Sequence, residues 1–286
     1  MVEILEESGQ LVIRIAQNEY ARYHFAPNRP KPYLFPLRAP NGLSLLADSP
    51  TDHRHHHGIW LGHGRVNDTD FWAERHNTGR IVHREFASCE SGEESGSFTE
   101  VCDWQAASGE RVLTDTRTFT FYDTPAESRI FDIEIVLSAP DDRTITLNQT
   151  NEAGLPHIRV AESLSPKGGG IMVNQEGKRN ERQTYRQKSS WVDCSGKLGR
   201  IVCGLAIFDH PDNPDYPTYW FTRDYGPLSP NYGFFYADPI EITPEHPLRL
   251  RYRFYTHTGD SVEGKVQEAF EVYTKGAASS FLASKA

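Results

Sequence analysis

Leu248-Arg-Leu-Arg-Tyr-Arg-Phe254 is the stretch that decides the fold class. Apolar and basic residues alternate one by one. Side chains of a strand point to opposite faces in turn, so Leu248, Leu250, Tyr252 and Phe254 share one face, and Arg249, Arg251 and Arg253 share the other. The arginine row reads as a solvated face; the alternative is that it lines a concave surface and meets an acidic sugar. The same alternation recurs in residues 11–16, 117–121 and 130–137. Turn signals at Pro40-Asn41-Gly42, Ser108-Gly109 and Gly168-Gly169-Gly170 cut the chain into short runs. Many short strands with such punctuation give an all-β fold, a single-domain antiparallel β-sandwich over residues 1–286.

One helix is expected, near the C-terminus. Val262, Val266, Phe270 and Tyr273 recur at helical spacing, Asp260 or Ser261 can cap the start, and Gly276 can end it. It reads as a lid over one end of the sheet, and the small, polar tail 277–286 reads as frayed. Prolines cluster in residues 27–40 and 210–217, where they should keep the chain in stiffened loops rather than central strands. Loops of that kind on a β scaffold are where sites are built.

At 286 residues the chain is long enough to build a core without disulfides, and its four cysteines form no CxxC pair, so reduced thiols are expected. The net charge of −9 argues against nucleic acid as a partner, since binding it needs a basic face. No apolar run is long enough for a membrane span, and MVEILEESGQ lacks the basic and apolar regions of a signal peptide. A cytoplasmic location follows as the expectation. The sequence sets no oligomeric state.

Function concentrates in residues 52–72, DHRHHHGIWLGHGRVNDTDFW, which hold five of the twelve histidines. If residues 53–57 are extended, His53, His55 and His57 face one side and His56 the other. Histidine serves either as a neutral metal ligand or as an acid/base group near neutral pH. The spacing of two between His53 and His55 is compatible with two ligands to one metal ion, with His56, His63 and Asp70 or Glu152 as further ligands, but it matches no fixed zinc motif, and a hydrogen-bonded turn is the plainer alternative. Trp60 and Trp72 offer flat apolar faces, and Asn67 and Asp70 offer acceptors, a combination that suits a sugar ring; the plainer alternative is that both tryptophans are core. Further along, Glu152, His157 and Arg159 place a carboxylate, an imidazole and a guanidinium within eight residues. His210 and Arg223 are weaker candidates for substrate contact. Neither a phosphate loop nor a GxSxG nucleophile elbow is present.

These residues carry a resemblance. Residues 31–42, the 52–72 segment, Gly79-Arg-Ile-Val-His83, residues 152–161, Trp191-Val-Asp193 and Ala206-Ile-Phe-Asp-His-Pro211 together resemble the bacterial "PmoA" family of unknown function. That family is similar to galactose mutarotase-like β-supersandwich proteins, in which one sheet face binds sugar and His and Glu side chains move protons. The resemblance implies a carbohydrate role. His53, His55, His56, His63, Asn67, Asp70, Glu152, Arg159 and His210 match its pattern. The chain departs at Arg54 (commonly Pro), His57 (commonly Arg) and Asn151 (commonly Lys).

Three readings follow. In the first, the chain is a carbohydrate-active enzyme of isomerase or lyase type, acting on a sugar or keto-sugar. His56 or His63 is then the acid and Glu152 or His157 the base, with Trp60, Asn67, Asp70, Trp72, Arg159, His210 and Arg223 binding substrate. In the second, it is a His-ligated hydrolase or oxygenase, with a divalent metal (Zn, Mn, Fe or Ca) as cofactor. In the third, it binds carbohydrate without catalysis.

Overall fold

The computed structural model describes residues 1–231 and 239–275. The stretch 248–254 lies in the strand Leu248–Thr258, hydrogen-bonded to Ser128–Ser138 on one side and Ile201–Asp209 on the other. These three are central in an eight-stranded sheet. Its order is Ile171–Asn174, Trp191–Leu198, Ile201–Asp209, Leu248–Thr258, Ser128–Ser138, Arg111–Tyr122, Ser95–Gln105 and Arg80–Glu90. A second sheet, also of eight strands, runs Val2–Glu7, Gln10–Ile15, Asn18–His24, Tyr33–Leu37, Ile59–His63, Ala153–Arg159, Pro227–Pro230 and Trp220–Thr222. Neighbours are antiparallel throughout both sheets. Leu250, Tyr252, Phe254 and Phe131 of the first sheet share one apolar core with Leu11, Tyr23, Leu34, Leu61 and Ile158 of the second. The mostly-β antiparallel sandwich expected from alternation is the architecture found.

Every residue of Ile59–His63 and Ala153–Arg159 is buried, so both faces of these two strands are covered. Ile59, Leu61 and Ile158 face the core. Trp60, opposite His157 in the pairing, faces away from it and is covered by the histidine-bearing loop. All four cysteines are free, with only Cys89 exposed. Among the described residues, no helix is long and apolar enough to cross a membrane.

Three expectations need correction. The proline-rich stretch 27–40 contains a central strand, Tyr33–Leu37, paired on both sides. Pro36 is accommodated because the register shifts between Ala21 and Tyr23, where the ladder has no need of its missing N–H. The C-terminal helix runs only over Val266–Thr274. Asp260 instead accepts from the backbone N–H groups of Val262 and Glu263, closing a turn that leaves Val262 exposed. Gly276 and the tail 277–286 lie outside the described residues. Val266, Ala269, Phe270 and Tyr273 pack on Trp191, Phe208 and Tyr255, so the helix covers the outer face of its sheet rather than an end.

That placement overturns part of the arginine row. Arg249 and Arg251 are exposed, but Arg253 lies beneath the helix. Its guanidinium grips Asp132 with two bonds of 2.7 and 2.8 Å and sits 4.5 Å from the Tyr273 ring centre. A buried charge stripped of its partner is costly, about 3–5 kcal/mol. Asp132→Ala should therefore cost about 3 kcal/mol in urea denaturation, while Arg249→Ala should stay within about 0.5 kcal/mol of the parent. Equal effects would contradict this placement.

Candidate active site

The loop before Ile59–His63 does not run extended. His53 N donates to the Pro50 carbonyl (3.1 Å) and His56 N to the His53 carbonyl (3.0 Å), so residues 50–56 form two successive turns. Turns undo strand alternation. His53, His55 and His56 therefore come together, and His57 points away, which corrects the expectation of His53, His55 and His57 on one side. Gly58 closes the loop at φ +44°, where an added Cβ would stand 2.1 Å from the Leu34 carbonyl oxygen. No other residue fits there.

The cluster has a floor and a rim. His56 stacks on His53 (4.6 Å between ring centres), meets His55 edge-on (4.7 Å) and faces Trp60 (5.1 Å) and His157 (5.4 Å). His157 lies 4.5 Å from Trp60 and 4.7 Å from Trp72. Trp60, Trp72, His56 and His157 are buried; His53 and His55 are half-buried and form the rim. A register shift between Gly154 and His157 aims the histidine into this cage. Gly154 makes room for it, since a Cβ there would stand 2.3 Å from the Cβ of His157.

Burial sets the charge state. It pushes His157 well down, with Arg159 adding to the effect. It also pushes His56 far down, with His157 and His55 reinforcing it, and brings His55 to about 4. His55, His56 and His157 are therefore neutral imidazoles at physiological pH. Arg159 donates from Nη1 to His56 Nδ1 at 3.4 Å, and a guanidinium cannot accept, so the His56 proton sits on Nε2. Among the described residues, neither ring nitrogen of His157, nor Trp60 Nε1, has a hydrogen-bond partner of normal geometry. Unsatisfied buried polar atoms are uncommon in folded proteins.

Arg159 also holds Asp52 with bonds of 3.0 and 2.8 Å. Burial works against the charge of Asp52, but its bonds to Arg159 and His53, with their charges, together outweigh it and bring it to about 2. Behind the cage lies a network that sequence reasoning missed. His57 meets Asp48 through Nδ1 (2.6 Å) and Glu74 through Nε2 (3.0 Å). Lys31 pairs with Glu74 (3.3 Å) and donates to the Trp72 carbonyl (2.7 Å). Burial opposes the charge on His57, but the two carboxylates outweigh it and raise its pKa. His57 thus clamps the loop that carries the histidines to the loop that carries Trp72.

The other predicted residues fall elsewhere. His63 shares the core-side face of Ile59 and Leu61, with Nε2 3.0 Å from the Asn148 carbonyl, and burial lowers it to about 4. Glu152 is exposed at the start of Ala153–Arg159, and no hydrogen bond or ion pair described here links it to the cage. Asn67 accepts from Thr146 N (2.8 Å), and Asp70 accepts from Trp72 N and Ala73 N (2.7 and 3.1 Å), so both oxygens hold backbone. His210 packs on Tyr273 under the C-terminal helix and is not brought to the cluster. Arg223 pairs with Glu181 (2.5 Å) and covers Phe221, which itself lies 5.7 Å from His157. Tyr225, stacked 5.0 Å from His53, was not foreseen. Among the described residues, no group of three or more His, Cys, Asp or Glu side chains is placed to hold a metal ion. His53 and His56 stack face to face, whereas the lone pairs that would bind a metal lie in the ring planes.

A family model described as "Family of unknown function (DUF6807)" matches residues 10–271. No curated protein matches the sequence. Two solved structures align over most of the chain. One is the GalM/aldose epimerase homologue from C. elegans, at 8% identity over 91% of this chain and 99% of that one, with a TM-score of 0.35. The other is the "Putative kojibiose phosphorylase from human microbiome", at 10% identity over 97% of this chain and 36% of that one, with a TM-score of 0.38.

The clamp makes a pH-dependent prediction. The pKa of His57 is raised in the folded state, so its contribution is complete below its unfolded value and is lost as pH rises through the folded value. His57→Gln should cost about 1–3 kcal/mol at pH 6 by urea denaturation, and the gap to the parent should narrow by pH 9. A gap that widens with pH would contradict the clamp.

Proposed function

We propose that this chain, which belongs to the family of unknown function DUF6807, is a carbohydrate-active enzyme of isomerase or lyase type. It would move a proton on a sugar or keto-sugar bound at the half-buried His53 and His55 rim of the cluster that contains Trp60 and Trp72. The observation that carries the reading is the pair His56 and His157: two buried, neutral imidazoles 5.4 Å apart between indole walls. Aromatic faces suit the C–H faces of a sugar ring, and imidazoles suit its hydroxyl or carbonyl rim.

The two histidines divide the work. His56 is held with its proton on Nε2 and can donate it to a substrate oxygen. Among the described residues no side chain holds the His157 ring nitrogens in a hydrogen bond of normal geometry, and His157 accepts a proton from carbon or oxygen. Burial makes both weak bases. A developing negative charge on an enediolate would favour protonated imidazole and reverse that weakness. Arg159, in contact with His56, would stabilise the same charge. His55 at the rim, brought to about 4, stays neutral and can pass protons to solvent.

Proton movement on carbon leaves a direct trace. In D2O, NMR of aldoses, ketoses and keto-sugars incubated with the protein should show deuterium entering one ring position or product. His56→Asn and His157→Asn should each slow this about 100-fold or more, the usual scale for an acid–base group. Sugar binding without exchange or product formation would favour the non-catalytic reading instead.

A further inference from the structure

We propose that the cage continues into a second sugar subsite, the cleft beside Arg159, so that the substrate is a glycoside of at least two rings. This rests on the carbohydrate reading above. The cleft has a volume of about 250 Å³ and is bordered by Thr51, Asp52, Arg159, Glu162, Lys167 and Tyr225. It adjoins the cage through a stack of rings: Tyr225 lies 5.0 Å from His53, and His53 lies 4.6 Å from His56. Arg159 serves both spaces. One arm of its guanidinium donates to His56, the other to Asp52, and its plane sits 4.9 Å from the Tyr225 ring centre. A ligand seated in the cleft would thus extend past Tyr225 and His53 along one continuous wall to the rim of the cage.

Charge and size choose the occupant. Asp52 and Glu162 balance Arg159 and Lys167, so the cleft has no net charge. A phosphate or carboxylate would gain from the two cations but meet the two carboxylates. A neutral polyol uses both, donating to the carboxylates and accepting from the cations. The volume falls below the roughly 300–1,000 Å³ of pockets for larger organic ligands, which suits one ring. Glu162 and Lys167 are exposed, so neither is committed to the core and both are free to meet a hydroxyl rim.

Calorimetric titration of the full chain with glucose, galactose, maltose, cellobiose, lactose, glucuronate and glucose 6-phosphate tests this. At least one disaccharide should bind about tenfold more tightly than its own component sugars. The double variant Glu162→Gln, Lys167→Met should erase that advantage. Monosaccharides binding as tightly as every disaccharide, or an advantage that survives the double variant, would overturn the two-ring proposal and leave the cage reading standing. Tightest binding of glucuronate or glucose 6-phosphate would overturn it in favour of an anionic ligand. Binding of none of these sugars would overturn the cage reading and this proposal together.

Discussion

The pairing of Ile59–His63 with Ala153–Arg159 is the constraint from which the site follows. It sets Trp60 opposite His157 and continues past the end of the strand. Arg159 N donates to the Gly58 carbonyl (2.8 Å), and Ala47 N donates to the Arg159 carbonyl (2.9 Å). Two segments about one hundred residues apart are thereby fixed in register, and the histidine loop is folded over the strand end. Once it lies there, His56 and His157 have little access to water. Desolvation can move a fully buried histidine by several pKa units, so neutrality of the cage is a consequence of the pairing rather than of a special neighbour.

The surroundings keep that arrangement from collapsing into an ordinary core. Trp60 and Trp72 exclude water but, among the described residues, leave the imidazole nitrogens of His157 unsatisfied, a cost that a folded protein seldom carries without a use for it. His57, Asp48, Glu74 and Lys31 put the compensating charges behind the indoles, where they join two loops without touching the cage floor. Arg159 is the one cation in hydrogen-bond contact with the floor among the described residues, and it is neutralised by Asp52 on the solvent side. Neutral groups face inward and paired charges face outward. A reaction that develops negative charge beside His56 would draw on Arg159 without first overcoming an unpaired ion.

Much of this was legible in the chain. Alternation in 248–254 identified a strand, and the density of His and Trp in 52–72 pointed to the region of the cage. His157 and Arg159 were singled out by residue type, and the structure brings them to that segment. The failures have physical causes. Pro50 and Asp52 favour turns, and reading residues 53–57 as extended put His55 and His56 on opposite sides when they are neighbours. His63 and Asn67 share the same segment but alternate or turn away from the cage. Arg253 looked solvated because its cover, Tyr273, lies about twenty residues further on. His57 was set aside for departing from a family pattern, yet its two carboxylates come from distant turns that no local period reveals. Tyr225 gave no signal before the fold placed it on His53.

The central claim is that His56 and His157 are neutral because the strand pairing buries them. Nitrogen-15 NMR of the imidazole rings across pH 5 to 7.5 reads this directly, since the protonated ring and the two neutral tautomers give distinct nitrogen shifts. The account predicts that both rings stay neutral throughout, with the His56 proton on Nε2. Either ring titrating near the ordinary histidine value of about 6.5 would contradict it.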